Sequence, residues 1–446
     1  MRDEESVPVD KKDVTGGAYE KDTDKPLDAN TLEPFGNEEH AEVKYRTMQW
    51  CAAIMILFIS ALSWYTGYVI GQFKLRHPEI HSMGDAGELL MGPFGRELLG
   101  LGQLLLLIFL MASNILLFST LMNVLTDHGT CTLVFGVVGL IICFLGALPR
   151  TMDKVYVPPA DMYAAFLSVF VATVITMIVS GVETKEHVIN EVTTEVGFRE
   201  GFLAVTNIIF AYRMLKPEFS LGDVPMTRTN TTPVAHVAYF GFMSETEDPR
   251  TFNKSLAMLQ IIDTVLYLVA ALIIYHYVGP DVKSPAILSL SPLMSKIAWG
   301  ISIPTTILSG VVLGHVACKQ IYVRIFRGSD KMHSNSFVSV GSWVAICLVI
   351  WVIAWVVAES IPVFNDLLSL ISALFGSWFS FGLPAIFWLY MNQGRYFQNW
   401  KKVVLTITNL GVLAIAFAIC GLGLYVSGVA IHNDSGTSAW SCANNA

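Results

Sequence analysis

Two groups of residues in this 446-residue sequence have the types and spacing to hold a small polar solute. The first is Thr206-Asn207-Ile208-Ile209-Phe210-Ala211-Tyr212, followed after a polar interval by His236-Val237-Ala238-Tyr239-Phe240-Gly241-Phe242. Both halves are apolar enough for a membrane, yet they place an amide, hydroxyls, an imidazole and aromatic rings beside a break. Unwound backbone at membrane depth is tolerated where it lines a cavity or is buried in protein. Half-helix N-termini there attract carboxylates, and freed carbonyls attract cations. Thr206, Asn207, Phe210, Ala211, Tyr212, His236 and Phe240 are therefore candidate substrate-binding residues. The alternative is two short segments joined by an ordinary loop.

The second group sits inside longer apolar runs. Ser113 and Asn114 lie in the middle of 99–125 and are expected to face the interior, as hydrogen-bonding glue or as pocket lining. Pro304-Thr305-Thr306-Ile307-Leu308-Ser309 puts three hydroxyls in one run. Thr305 and Ser309 are four apart and share a helix face. Thr305, Thr306 and Ser309 could coordinate a coupling ion or bond a neighbouring helix, and the adjacent Gly310-xxx-Gly314 favours packing. Ionisable groups inside spans are functional candidates by default. They are His236, Asp263, His276 and His315. Asp263 reads as lying within a turn or two of an interface, and His315 borders the basic stretch 319–331. His236, beside the break, is the best placed for proton coupling. No HExxH, P-loop or GxSxG occurs, so catalysis and ATP-driven transport are not expected, and no cofactor is implied.

These residues need a membrane-embedded scaffold. Hydrophobic residues make up 53% of the chain and charged ones only 14%, against roughly 25% in soluble domains. The net charge is −8, which excludes a phosphate-neutralising, nucleic-acid-binding surface. Residues 1–49 hold 13 Asp/Glu and 7 Lys/Arg, so most of the negative charge sits there. They read as a disordered acidic cytosolic tail. The seven cysteines form no CxxC, and an odd, unspaced set argues against a disulfide framework and a zinc site.

A crossing helix needs about 20 apolar residues. Such runs occur at 50–72, 99–125, 131–148, 162–182, 258–279, 297–318, 338–358, 363–390 and 403–430, with the broken run 201–212/234–243 as a tenth. They are apolar all round, which excludes the alternation of a barrel. From residue 73 the connecting segments alternate in charge. Segments 73–98, 149–161, 244–257, 318–337 and 391–402 hold 14 Lys/Arg in total, and 126–130, 183–200, 279–296, 359–362 and 431–446 hold 4. The richer set is expected in the cytoplasm, which puts the C-terminal tail 431–446 and its sequon Asn433-Asp434-Ser435 outside. Lys44 and Arg46 favour an inside N-terminus as well. An even number of spans must then precede residue 73, yet 50–72 holds one. Either that run is a re-entrant hairpin, or the N-terminus is outside, or one helix is missing.

Several stretches resemble the amino acid/auxin permease family, and most closely the neutral amino acid permeases of filamentous fungi. They are PFGNEE (34–39), AEVKYRTM (41–48), YTGYVIGQFK (65–74), DAGELLMGPFGRE (85–97), FAY (210–212), HVAYFGF (236–242) and GHVACKQIYVRIFRGSD (314–330). The resemblance implies a LeuT-like inverted-repeat fold of eleven helices in residues 50–430, an inside N-terminus and an outside C-terminus. It also implies amino acid import, usually with a proton and less often with Na⁺. The plasma membrane is the expected location, with the vacuolar membrane as alternative. Phe210, Tyr212 and Phe240, with no acidic side chain in either half of the break, suit a neutral amino acid.

The chain departs from that pattern twice. The family's first helix carries a Gly-rich, Leu-Pro-containing unwound motif, whereas here Trp50-Cys51-Ala52-Ala53 leads almost directly to the end of the second helix at Tyr65. About ten spans are then expected instead of eleven. Residues 213–233, polar and carrying Arg213, Lys216 and Arg228, intervene where the family runs from FAY straight to its His. A lost exon segment and a retained intron, or a splice variant, would each produce these departures. Both strike helices that build the substrate site, so the chain is expected to transport poorly or not at all. The competing reading is a transport-inactive nutrient receptor or regulatory membrane protein of the same fold.

Overall fold

The computed structural model describes residues 41–150, 159–183, 202, 205–209, 236, 239–240, 243, 251–279, 282–283, 285–326, 329, 336–361 and 363–444. For 41–52, 159–166, 183, 365 and 434–438 it describes the backbone alone. The polar stretch 213–233 and most of the acidic tail lie outside the described residues.

Every described element is helical. They are α1 (Ala41–Arg76), α2 (Met83–Met91), α3 (Pro93–Thr126), α4 (Thr132–Ala147), α5 (Pro159–Glu183), α6 (Phe252–Val278), a 3-10 turn (Ala286–Ser289), α7 (Pro292–Phe326), α8 (Phe337–Ser360), α9 (Phe364–Ile371), a π segment (Ser372–Gly382), α10 (Leu383–Met391) and α11 (Trp400–Ser438). The segments α9, π and α10 run on as one rod. The molecule is therefore an all-α polytopic membrane protein. Among the described residues seven helices are long and apolar enough to cross a membrane, and Thr132–Ala147 and Leu167–Val182 are shorter apolar helices. The 16 residues of α4 rise only about 24 Å, less than the roughly 30 Å hydrocarbon core.

Local chemistry sets the helix ends. Ser82 and Asp85 close a reciprocal capping box at the start of α2. Pro93 opens α3 at a position where its missing N–H costs nothing. Gly92 (φ 68°) lets α2 fold straight back onto α3. A Cβ on Gly87 or Gly95 would collide with the other's carbonyl oxygen, so two glycines permit this contact.

The 50–72 run is one continuous helix, which removes the re-entrant hairpin. Arg76 Nη1, at the end of α1, donates to the Met391 carbonyl (3.0 Å) and so places that end beside segment 391–402. Helices α3 and α7 are antiparallel and joined at both ends. Glu97 pairs with Arg324 at one end, and Asp127 with Lys296 (2.6 Å) at the other. Arg150 Nη2 donates to Tyr322 Oη (2.9 Å), and Trp343 Nε1 to the Leu148 carbonyl (2.8 Å), at the Arg324 end. These contacts join segments of the same charge class only. The alternation counted in the sequence is thus a physical division between two faces of the molecule.

The cysteine expectation needs correction, because Cys131 and Cys442 form a disulfide. Their separation of 311 residues left no local spacing to read. The bond ties the start of α4 to the segment after α11, both on the Lys296 face. Around it, Thr132 Oγ1 donates to the Ala443 carbonyl (2.6 Å) and the Trp440 N–H to the Glu359 carbonyl (3.4 Å). The Trp440 ring meets Trp355 edge-on at 5.5 Å. Trp440 has φ 54°, a costly conformation for a bulky residue that persists where surrounding contacts over-determine it.

Candidate functional site

Helix α3 is enclosed by its neighbours and carries the polar centre. Ser113 Oγ and Asn114 Nδ2 both donate to the Leu110 carbonyl (2.8 and 3.0 Å). That anchoring leaves Asn114 Oδ1 free to face α7, where it accepts from Ser309 Oγ at 2.5 Å. Thr306 Oγ1 donates to the Ser302 carbonyl (3.0 Å), and the Thr305 hydroxyl meets that of Ser168 on α5 at 2.5 Å. Thr305 and Ser309 share a face by spacing yet serve different neighbours. Pro304 lies inside α7, so the Gly300 carbonyl loses its helical donor. The close approach that seats these groups comes from glycines. A Cβ on Gly310 would stand 2.8 Å from Cys143 Sγ, and one on Gly314 would stand 2.6 Å from the Trp351 ring.

The first half of the broken span is helical over 205–209. Ile209 is buried with Ile56, Phe381, Ala385 and Ala416. Thr206 is buried, and a Cβ on Gly423 of α11 would stand 3.4 Å from its methyl group. Asn207 Oδ1 accepts from Ser369 Oγ (3.0 Å). Ser369 lies three residues before the π segment, on a rod that nothing in the sequence had marked as part of the site. A π segment is rare and is often found where function demands irregular backbone. Phe210, Ala211 and Tyr212 lie outside the described residues.

From the second half, His236 Nε2 lies 3.2 Å from the Ser63 carbonyl oxygen and 3.3 Å from Thr66 Oγ1, both on α1. Its ring is 5.1 Å from that of Tyr239. Phe240 is fully buried, 6.1 Å from Phe73 and 5.9 Å from Phe387, which stack on each other at 4.3 Å. It sits in an aromatic cluster near the Arg76 end of α1. His315 is 1% exposed and packs against the Trp343 ring at 5.3 Å, so it is buried in protein near the Arg324 end of α7. Asp263 is also interior. Helix α6 starts at Phe252, which puts Asp263 three turns in and close to the helix midpoint.

The structure thus joins Asn114 to Ser309 across the α3–α7 contact, while Ser113 and Thr306 are buried and bonded within their own helices. It puts Thr206 and Asn207 against the π-bearing rod and α11, and His236 against α1. Among the described residues no group of three or more His, Cys, Asp or Glu side chains could hold a metal ion. The site offers amides, hydroxyls, an imidazole and the carbonyl freed at Pro304. Such groups can bind a zwitterion by hydrogen bonds and dipoles.

A family model described as "Transmembrane amino acid transporter protein" matches residues 49–220 and 234–430. The gap in the match falls inside the polar stretch 213–233. The chain is 34% identical over 373 residues to the "N amino acid transport system protein" of Neurospora crassa, covering 81% of this chain and 74% of that protein. It is 28% identical over 397 residues to proteins called "Transmembrane transporter" from Gibberella moniliformis and from Fusarium pseudograminearum. Each of those comparisons covers 88% of this chain, with 81% and 80% of the respective relatives. The match reaches across the long apolar helices and both halves of the broken span, and the chain belongs to the transmembrane amino acid transporter family.

Proposed function

We propose that this protein is built to import neutral amino acids by secondary active transport, with a proton as the coupling ion, on a LeuT-like inverted-repeat scaffold. The observation that carries this reading is the family match itself, which spans the membrane body and resumes after the break. The relatives' printed names support amino acid transport. The preference for a neutral substrate rests on the aromatic and uncharged character of both half-helices. The substrate site then lies near the bilayer midplane, between the broken span, α3 and α7, where such transporters alternate access around a fixed site. Loop charges favour a cytoplasmic N-terminus and an outside C-terminus in the plasma membrane, with residues 1–49 and 431–446 as tails of a transporter domain at 50–430.

The chain in its present form is a poor transporter under this reading. A continuous α1 stands where two spans would satisfy the charge rule, so one wall of the site is absent. Stretch 213–233 also brings three Lys/Arg to the place where the half-helices should meet. These two features favour the second reading, a receptor or regulatory protein that keeps the fold without the flux. The two readings separate in a transport-null cell supplied with labelled L-leucine or L-phenylalanine. Restoring a first helix and removing 213–233 should give saturable uptake well above that of the present chain at matched surface expression. Equal uptake by both would overturn the idea that the departures are damaging.

A further inference from the structure

We propose that Asp263 carries the coupled proton, beside a row of polar side chains that follows the α1–α6 seam toward His236. The inference rests on the symport reading above and assigns it a residue.

The seam is antiparallel and its register can be read from contacts. Phe252 packs where a Cβ on Gly71 would be, and Leu256 and Tyr239 where a Cβ on Gly67 would be. One further turn along, Gln260 Nε2 donates to Ser60 Oγ (3.1 Å), and the hydroxyls of Ser60 and Thr264 are in contact. On α1, Ser60, Ser63 and Thr66 recur every three residues, so they lie along one helix face. The face is engaged at one end by Gln260 and Thr264, the residues flanking Asp263, and at the other by the His236 imidazole. Asp263 thus stands beside a row of polar side chains on the α1–α6 seam, and the imidazole stands at the other end of that row.

The rest of α6 shows that this is a selected place for a carboxyl. Ile261, Ile262, Val265 and Val269 are exposed on the apolar outside of the helix. Only Phe252, Leu256, Gln260 and Asp263 are buried, as one stripe. Asp263 is 6% exposed near the helix midpoint. Among the described residues it has no ion pair and no hydrogen bond. The facing stretch of α1 and the described side chains of α5 bring no Lys, Arg, His, Asp or Glu to it. Tyr239 lies within its electrostatic reach, and His236 is the basic group on the seam. A buried charge without a counter-ion is costly inside a membrane span, and its protonated form is much less so. Asn would fill the same volume without that cost. What the carboxyl adds is the capacity to take up and release a proton.

The test uses the full chain in lipid vesicles with Asp263→Asn and Asp263→Glu. Difference infrared spectra across a pH titration should show a protonated carboxyl band in the unmodified chain. That band should be absent in D263N, shifted in D263E, and perturbed by L-phenylalanine. In a chain with the first helix restored and 213–233 removed, D263N should lose accumulation against a gradient but keep exchange of labelled for unlabelled L-phenylalanine. D263E should recover part of the accumulation. A purely structural Asp263 would give parallel losses of accumulation and exchange, which overturns the proposal. So does a carboxyl spectrum unchanged in D263N, or accumulation retained in that variant. If no chain moves amino acid, the transport reading fails and the infrared titration alone still decides whether Asp263 holds a proton.

Discussion

At the scale of the residue, polar groups were legible by type but not by partner. The spacing of Thr305 and Ser309 put them on one face. The structure sends one to Ser168 on α5 and the other to Asn114 on α3, because pairing depends on which helices pack there. Asn207 could be picked out beside the break, whereas its partner Ser369 could not. A serine in an apolar run carries no signal until a second helix is laid against it. If Asn207–Ser369 is a working contact, a double-mutant cycle of Asn207→Ala and Ser369→Ala in thermal unfolding should give a coupling of about 0.6 kcal/mol. Additive losses would mean the two side chains do not support each other. Phe210 lies outside the described residues, three positions after Asn207 in the sequence. In an intact-length relative, replacing the matching phenylalanine with alanine should raise KM for neutral amino acids. Unchanged kinetics would take that position out of the site.

At the scale of the element, the helices were written in the apolar runs, since about 20 such residues in water-free surroundings can satisfy their backbone only as helix. Helix irregularity was not so written. Nothing in SALFGSWFSFG distinguishes a π segment from an α-helix before the neighbours are known. The Gly310-xxx-Gly314 pair was readable as a packing motif, and it receives Cys143 and Trp351. Gly314→Ala should destabilise the fold by about 1–3 kcal/mol through forced repacking. Gly341→Ala, at a position with open space, should be neutral or slightly stabilising. Equal melting temperatures for the two variants would contradict the packing described. The disulfide was invisible to spacing because it closes 311 residues. Cys442→Ser should cost about 2–4 kcal/mol and leave Cys131 open to thiol labelling from outside the cell. Labelling of Cys131 in the unreduced parent chain would show that the bond is not formed.

At the scale of the whole molecule, the division of loops into two faces was legible from Lys and Arg alone. Glu97–Arg324, Asp127–Lys296 and Cys131–Cys442 fall within those classes. The front of the chain was legible only as a contradiction in parity, which a single continuous α1 sharpens. What remained closed to the sequence was burial. Asp263 read as lying near a helix end because the apolar run begins at 258, while the helix begins six residues earlier and places it near the helix midpoint, buried against its neighbours. The measurement that bears most directly on the whole account is uptake of labelled neutral amino acid by the chain with a first helix restored and 213–233 removed, in a transport-null cell. The account predicts saturable uptake that rises as external pH falls and collapses with a protonophore, because a more acidic outside steepens the inward proton gradient. Uptake that ignores pH and follows the Na⁺ gradient, or none above the null cell at confirmed surface expression, would contradict it.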